Sequence, residues 1–164
     1  KDAGTGLLVI LSNNFRVNNA ANSELMINAV EDAGVTLYYN GNSKFDTSNI
    51  GATVTGTLIA TTSTAGSQGG STTLDFAANQ NFVLTLTSNI TLANPSTEQV
   101  GQSGIICFIQ DAGGGNTLSL GTDYETAGGA GITLSTAGNA VDIIPYFVKA
   151  SGSIQLGAVQ LAFS

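Results

Sequence analysis

Phe82-Val83-Leu84-Thr85-Leu86-Thr87 sets Phe82, Leu84 and Leu86 against Val83, Thr85 and Thr87 with a period of two. Side chains of an extended chain alternate between two faces, so this pattern describes a strand with one buried face. Thr117-Leu118-Ser119-Leu120 and Ile132-Thr133-Leu134-Ser135 repeat it in miniature. Gly104–Phe108 and Val141–Val148 are more continuously apolar, which predicts central strands buried on both faces. Between these runs stand Asp111-Ala112-Gly113-Gly114-Gly115-Asn116, Gly128-Gly129-Ala130-Gly131 and Ala150-Ser151-Gly152, all turn-forming. Strands recurring about every 8–12 residues with turns between them predict an antiparallel β-sandwich or jelly-roll-like head over residues 74–164. Pro145, inside the second apolar run, predicts an edge position or a bulge there.

Upstream, the stretch from Thr61 to Thr73 is almost wholly Thr, Ser, Gly, Ala and Gln, the composition of a flexible linker. Residues 1–60 give short strands at Leu7–Leu11, Phe15–Val17, Glu24–Val30, Val35–Tyr39, Lys44–Asp46 and Thr53–Ala60. Asn19–Val30 is the best helix candidate in the chain, but its β-rich context and Asn28 favour a strand over Glu24–Val30. Asn40-Gly41 between Tyr39 and Asn42 is a hairpin signal, since both central residues of a type I′ turn need positive φ. Little apolar mass lies in this half, too little for an independent core. That deficit predicts homo-oligomerisation, with Leu8, Ile10, Phe15, Leu37 and Phe45 as the oligomer core. The whole chain is therefore expected to be all-β.

Composition narrows the chemistry. The 164 residues are 42% hydrophobic and only 9% charged, with no histidine, no tryptophan and a single cysteine. Without histidine, the commonest general base and metal ligand is missing. One cysteine can neither close an intrachain disulfide nor build a thiolate zinc site. The net charge is −7, and the four cations Lys1, Arg16, Lys44 and Lys149 are scattered. A basic stripe for phosphates is thus lacking, which argues against nucleic acid and against anionic membrane surfaces. The longest near-apolar run, Leu7–Leu11, is strand-sized and far short of the roughly 20 residues of a spanning helix, so membrane insertion is not expected. The chain starts on Lys1 rather than methionine and shows no signal peptide, as a piece of a longer polypeptide would.

Few residues offer chemistry. Asp123 and Glu125 share a face if their segment is extended, as paired acid–base carboxylates would, although a solvated loop between Gly121 and Gly128 accounts for them equally simply. Asp111 and Asn116 flank three glycines and supply oxygen ligands, but neither an EF-hand nor a calcium β-helix spacing accompanies them. No cofactor or metal is expected. Cys107, inside Ile105-Ile106-Cys107-Phe108-Ile109, reads as an inert buried thiol. Of Tyr38, Tyr39, Tyr124 and Tyr146, the one in a glycine-flanked loop is Tyr124, which is therefore the candidate exposed aromatic. The candidate receptor contacts are accordingly Tyr124, Asp111, Asn116 and Asp123.

Two stretches resemble a known family. Glu31-Asp32-Ala33-Gly34-Val35-Thr36-Leu37-Tyr38-Tyr39-Asn40-Gly41-Asn42-Ser43-Lys44-Phe45-Asp46-Thr47-Ser48, continuing through Gly51-Ala52-Thr53-Val54-Thr55-Gly56-Thr57-Leu58, resembles a repeat of tail-fibre and related structural proteins of tailed bacteriophages. It departs from that repeat with Asn40-Gly41 in place of an acid and with one lysine instead of two. The second stretch runs from Leu74-Asp75-Phe76 through Asn81–Leu92 and Gly101–Gly104 to Val141–Ile144, and is similar to the β-rich module that often ends such proteins. The resemblance implies a homotrimer with strands shared between chains, built for endurance rather than catalysis. Residues 1–60 would then form a trimerising, intertwined stem and residues 74–164 a head that contacts a host-surface glycan. Other virion proteins would be its neighbours. A capsid fibre or decoration protein is the alternative, with a polysaccharide depolymerase or a free carbohydrate-binding module further behind.

Overall fold

A strand persists only where a neighbour pairs with its backbone, and pairing decides which of the expected strands form. The computed structural model describes residues 6–163. The chain divides into two units, the first ending at Ile59 and the second beginning at Ala60.

The first unit is an antiparallel meander of β1 (Asn14–Asn18), β2 (Leu25–Val30), β3 (Gly34–Tyr39), β4 (Asn42–Ser48) and β5 (Gly51–Val54), each paired with the next. The strand reading of Glu24–Val30 holds, as does the hairpin, where Asn40 and Gly41 carry φ of 50° and 72°. Register aligns Val17, Ile27, Leu37, Phe45 and Val54 in one row across all five strands. Arg16, Asn28, Thr36, Asp46 and Thr53 form the row on the opposite face. One face is thus apolar and one polar, yet no described residue of this unit is fully buried. Leu7–Leu11 is not a strand, because no segment of the chain pairs with it; Leu8 and Ile10 stand 72% and 60% exposed. The strand expected over Thr53–Ala60 ends at Val54, leaving Leu58 and Ile59 in solvent for the same reason. Lys1 lies outside the described residues.

The second unit holds β6 (Thr62–Thr73), β7 (Asn81–Ala93), β8 (Ser103–Gln110), β9 (Leu118–Leu120), β10 (Tyr124–Glu125), a 3-10 turn at Ala127–Gly129, β11 (Val141–Ala150), β12 (Ser153–Leu156) and β13 (Gln160–Phe163). They make one sheet in the order β10-β12-β11-β8-β7-β6, with β13 beside β11 and β9 beside β7. The all-β class is borne out. The antiparallel sandwich is not: β7 runs parallel to β6, β8 and β9, and the core is served by one mixed eight-stranded sheet. Ser164, at the end of the expected final strand, lies outside the described residues.

The segment 61–73 is likewise not a linker. It is almost entirely β6, templated by the backbone of β7 rather than by burial of its own side chains, which is why its polar composition misleads. The return from Thr73 to Asn81 then bends the sheet. Eight residue steps reach roughly 29 Å at most, whereas the length of β6 is roughly 36 Å if straight. The strand pair must therefore fold back on itself, and it does so where Thr87, Ser88 and Asn89 of β7 lie opposite Gly69. The connection crosses the concave side, where Leu74 and Phe76 enter the core.

There they meet the inward residues Phe82, Leu84 and Leu86 of β7, Ile106 and Phe108 of β8, and Ile144, Tyr146 and Val148 of β11. The Phe76 ring lies edge-on to Tyr146, with centroids 5.2 Å apart, and Tyr146 donates to the Gln80 carbonyl at 2.6 Å. β8 and β11 are central, but only their inner faces are buried; outward Ile105 and Phe147 remain 38% and 45% exposed. The expectation of burial on both faces is corrected accordingly: both faces are apolar and one lacks a cover. Pro145 lies in this central strand rather than at an edge. Its missing N–H faces the place where β11 changes partner from β13 to β12, and its carbonyl accepts from Gly157 N at 2.8 Å. A Cβ on Gly157 would lie 2.8 Å from Pro145 Cγ, so this junction needs glycine.

Candidate functional site

The two glycine-rich loops singled out in the sequence behave differently. In Asp111–Asn116, Asp111 Oδ1 accepts from Gly113 N at 3.0 Å and Gly114 N at 2.9 Å, closing an Asx turn. Asn116 donates through Nδ2 to the Leu86 carbonyl at 3.2 Å. The buried Gln110 amide ties the loop down, donating to the Asn116 and Ser135 carbonyls and accepting from Asn116 N. Gly115 N to Thr136 O and Asn139 N to Asp111 O fasten it to the loop before β11. The polar atoms of Asp111 and Asn116 are thus engaged in holding the loop's own shape. Among the described residues, no group of three metal-ligating side chains converges here or elsewhere.

Beside that loop lies the one buried carboxylate of the core. Asp142 is 1% exposed and accepts from Ser135 N at 2.6 Å, Ser135 Oγ at 2.7 Å and Ala162 N at 2.9 Å. Three donors satisfy the charge, and in doing so they pin the 135 loop and β13 to β11.

The second loop, Asp123–Gly131, borders a groove of about 690 Å³ walled by Leu118, Leu120, Tyr124, Glu125, Thr126 and Ile132. Tyr124 does not stand out from it. The residue begins β10, pairs with Ile154 and is only 6% exposed, so the expected exposed aromatic is a core residue, fixed there by strand pairing. Burial, with the Asp123 and Glu98 carboxylates in addition, pushes its phenol well above the ordinary value. Tyr39 of β3, at 74%, is the tyrosine that faces solvent.

Glu125 is the carboxylate that lines the groove. It accepts from Ser153 Oγ at 2.6 Å and pairs with Lys149 Nζ at 3.1 Å, and these two partners, Ser153 first, hold its carboxyl below the ordinary range. On the β11–β12 turn, Glu98 Oε1 accepts from Gly152 N at 2.8 Å and Ser151 Oγ at 3.1 Å, and the Gly152 N–H chiefly lowers its carboxyl as well. Asp123 precedes β10 and does not line the groove; its N–H donates to Asn94 Oδ1 at 3.1 Å. The expected pairing of Asp123 with Glu125 on one strand face is therefore not assembled. Of the four candidate contacts, Tyr124 alone lines the groove, while Asp111, Asn116 and Asp123 lie outside it. The alternation of Leu118–Leu120 gave the strand in sequence, but only the pairing of β9 with the far half of β7 makes it a groove wall.

Residues 69–153, just over half of the chain, match the family described as "Putative phage tail fibre C-terminal domain". The match begins in β6 and ends at the start of β12, so it spans both loops and the groove. No curated protein and no solved structure gives a significant match to the chain.

Proposed function

The chain belongs to this phage tail-fibre family, and from that membership we propose that it acts as a homotrimer contributing to host-surface attachment. The coarser statement needs no proposal: it is a tail-fibre-type structural protein and so a component of the virion. The observation that carries self-association is the uncovered row Val17–Ile27–Leu37–Phe45–Val54, accompanied by Leu7, Leu58 and Ile59 at 87%, 79% and 86% exposure. A sheet with one apolar face is stable when a second layer covers it. Copies of the same unit supply that layer without any further partner, and the resemblance of Gly34–Leu58 to a tail-fibre stem repeat sets the number at three.

For attachment, the groove beside Glu125 offers a carboxylate and the hydroxyls of Ser119 and Thr126 over an apolar floor, a surface suited to a hydroxyl-rich glycan. A non-catalytic role belongs to the same reading, because Glu125 is the one carboxylate lining the groove and glycosidase chemistry uses two. Sedimentation of the purified full chain tests the trimer: three times the chain mass is expected, and a stable monomer overturns it. Competition tests attachment: the purified chain should block phage adsorption to host cells, and Thr126→Trp, which fills the groove, should abolish the block. A trimer that never competes removes attachment and leaves the trimer standing.

A further inference from the structure

The outer face of the second sheet is the largest unexplained surface of the molecule. Outward residues of three adjacent strands fall into register there: Cys107 lies between Val83 and Ile143, Ile109 is opposite Val141, and Ile105 is opposite Pro145. Phe147 extends the face along β11, and Phe163 of β13 pairs with Val141. Of these, Ile105, Phe147 and Phe163 are 38%, 45% and 45% exposed, and the others are half-buried. No polar contact within the chain explains so apolar an outer surface on a unit that already has a core.

We propose that this face of β7, β8 and β11 packs against a second copy of the chain. The proposal rests on the self-association reading above and extends it from the first unit to the second. Charge selects the occupant. The chain carries −7, yet the outward positions of β7, β8 and β11 hold no acid, since Asp142 points inward. The one charged outward residue of β11 is Lys149, already paired with Glu125 beyond the end of the apolar patch. Two like-charged copies can meet on such a face without bringing acids together, and it offers nothing to a charged partner. Area agrees: the exposed apolar surface is on the order of 500 Å², near the upper limit for a monomer. With its Ser and Thr rim it approaches the roughly 800 Å² per partner of a stable interface.

Cys107, near the middle of the patch and the chain's single cysteine, reports on its cover. The full chain is treated with a dye-maleimide at fixed pH, beside sedimentation of the same sample. The proposal expects an oligomer whose Cys107 reacts at least tenfold more slowly than in Ile143→Arg, with that variant falling to a smaller assembly. Ile143→Thr, milder and on the same outward position, should raise the labelling rate in the same direction while keeping the native circular dichroism. An oligomer with Cys107 as reactive as in the Ile143 variants overturns this interface and leaves self-association through the first unit intact. A monomer overturns both.

Discussion

The five-stranded sheet of residues 14–54 and the eight-stranded sheet of residues 62–163 both set an apolar face against a polar or mixed one, but they differ in what lies on it. In the second, the sheet bends and its own connection, with Leu74 and Phe76, closes over Phe82, Leu84 and Leu86, which are at most 1% exposed. In the first, the meander turns back on itself strand by strand with hairpins too short to cross a face, and Leu37 and Val54 keep 41% exposure. Long parallel pairs need crossing connections, and crossings supply a lid; short antiparallel hairpins do not. Apolar alternation states that a face will be covered, and connectivity decides by which chain.

The contrast breaks if the two rows respond alike to truncation. Phe82→Ala should destabilise the second unit by about 3–5 kcal/mol in urea unfolding, independent of protein concentration. Leu37→Ala should instead shift a transition that itself moves with protein concentration, as linked association requires. Equal, concentration-independent losses would mean that the first sheet is covered within its own chain.

Next in size is Asp142. Removing its carboxylate with Asp142→Ala strands the Ser135 and Ala162 N–H groups and should cost the second unit about 2–3 kcal/mol. Asp142→Asn, which keeps an acceptor, should lose less. The midpoint of the first unit should stay where it was.

The smallest effect is that of acid. Glu98 and Glu125 are held below the ordinary carboxylate value in the folded chain, so their stabilisation is present above the unfolded value of about 4.5 and is lost as pH falls through the lowered ones. The second unit's denaturation midpoint should therefore drop as pH is taken from about 5 to about 3. Glu98→Gln combined with Glu125→Gln should flatten that drop without touching the first unit's profile.

Much of this was legible in the residues. Period-two runs located β7, β8 and β11, and Asn40-Gly41 located the turn between β3 and β4, because both signals are local. Three features were not. β6 has no apolar alternation to betray it, since its backbone is held by β7 and its side chains bury little. Tyr124 looked exposed among glycines until β12 took it as a partner, a contact thirty residues away in sequence. The groove is made by the same long-range pairing, so its wall residues were visible as strands and invisible as a site.

β6 has a further consequence. It is the outermost strand, 12 residues long, without lysine or proline, and one side of its backbone has no partner in the sheet. Such an edge invites amyloid-like stacking of chain upon chain. Two irregularities interrupt it: Gly66 is looped out between Ala65 and Ser67, and the excess residues of β7 opposite Gly69 turn the edge through a corner. A straight incoming strand finds only short stretches of matching register on either side. The bend that builds the core is thus also what keeps an uncharged edge from seeding fibrils in the crowded cell where the particle is put together.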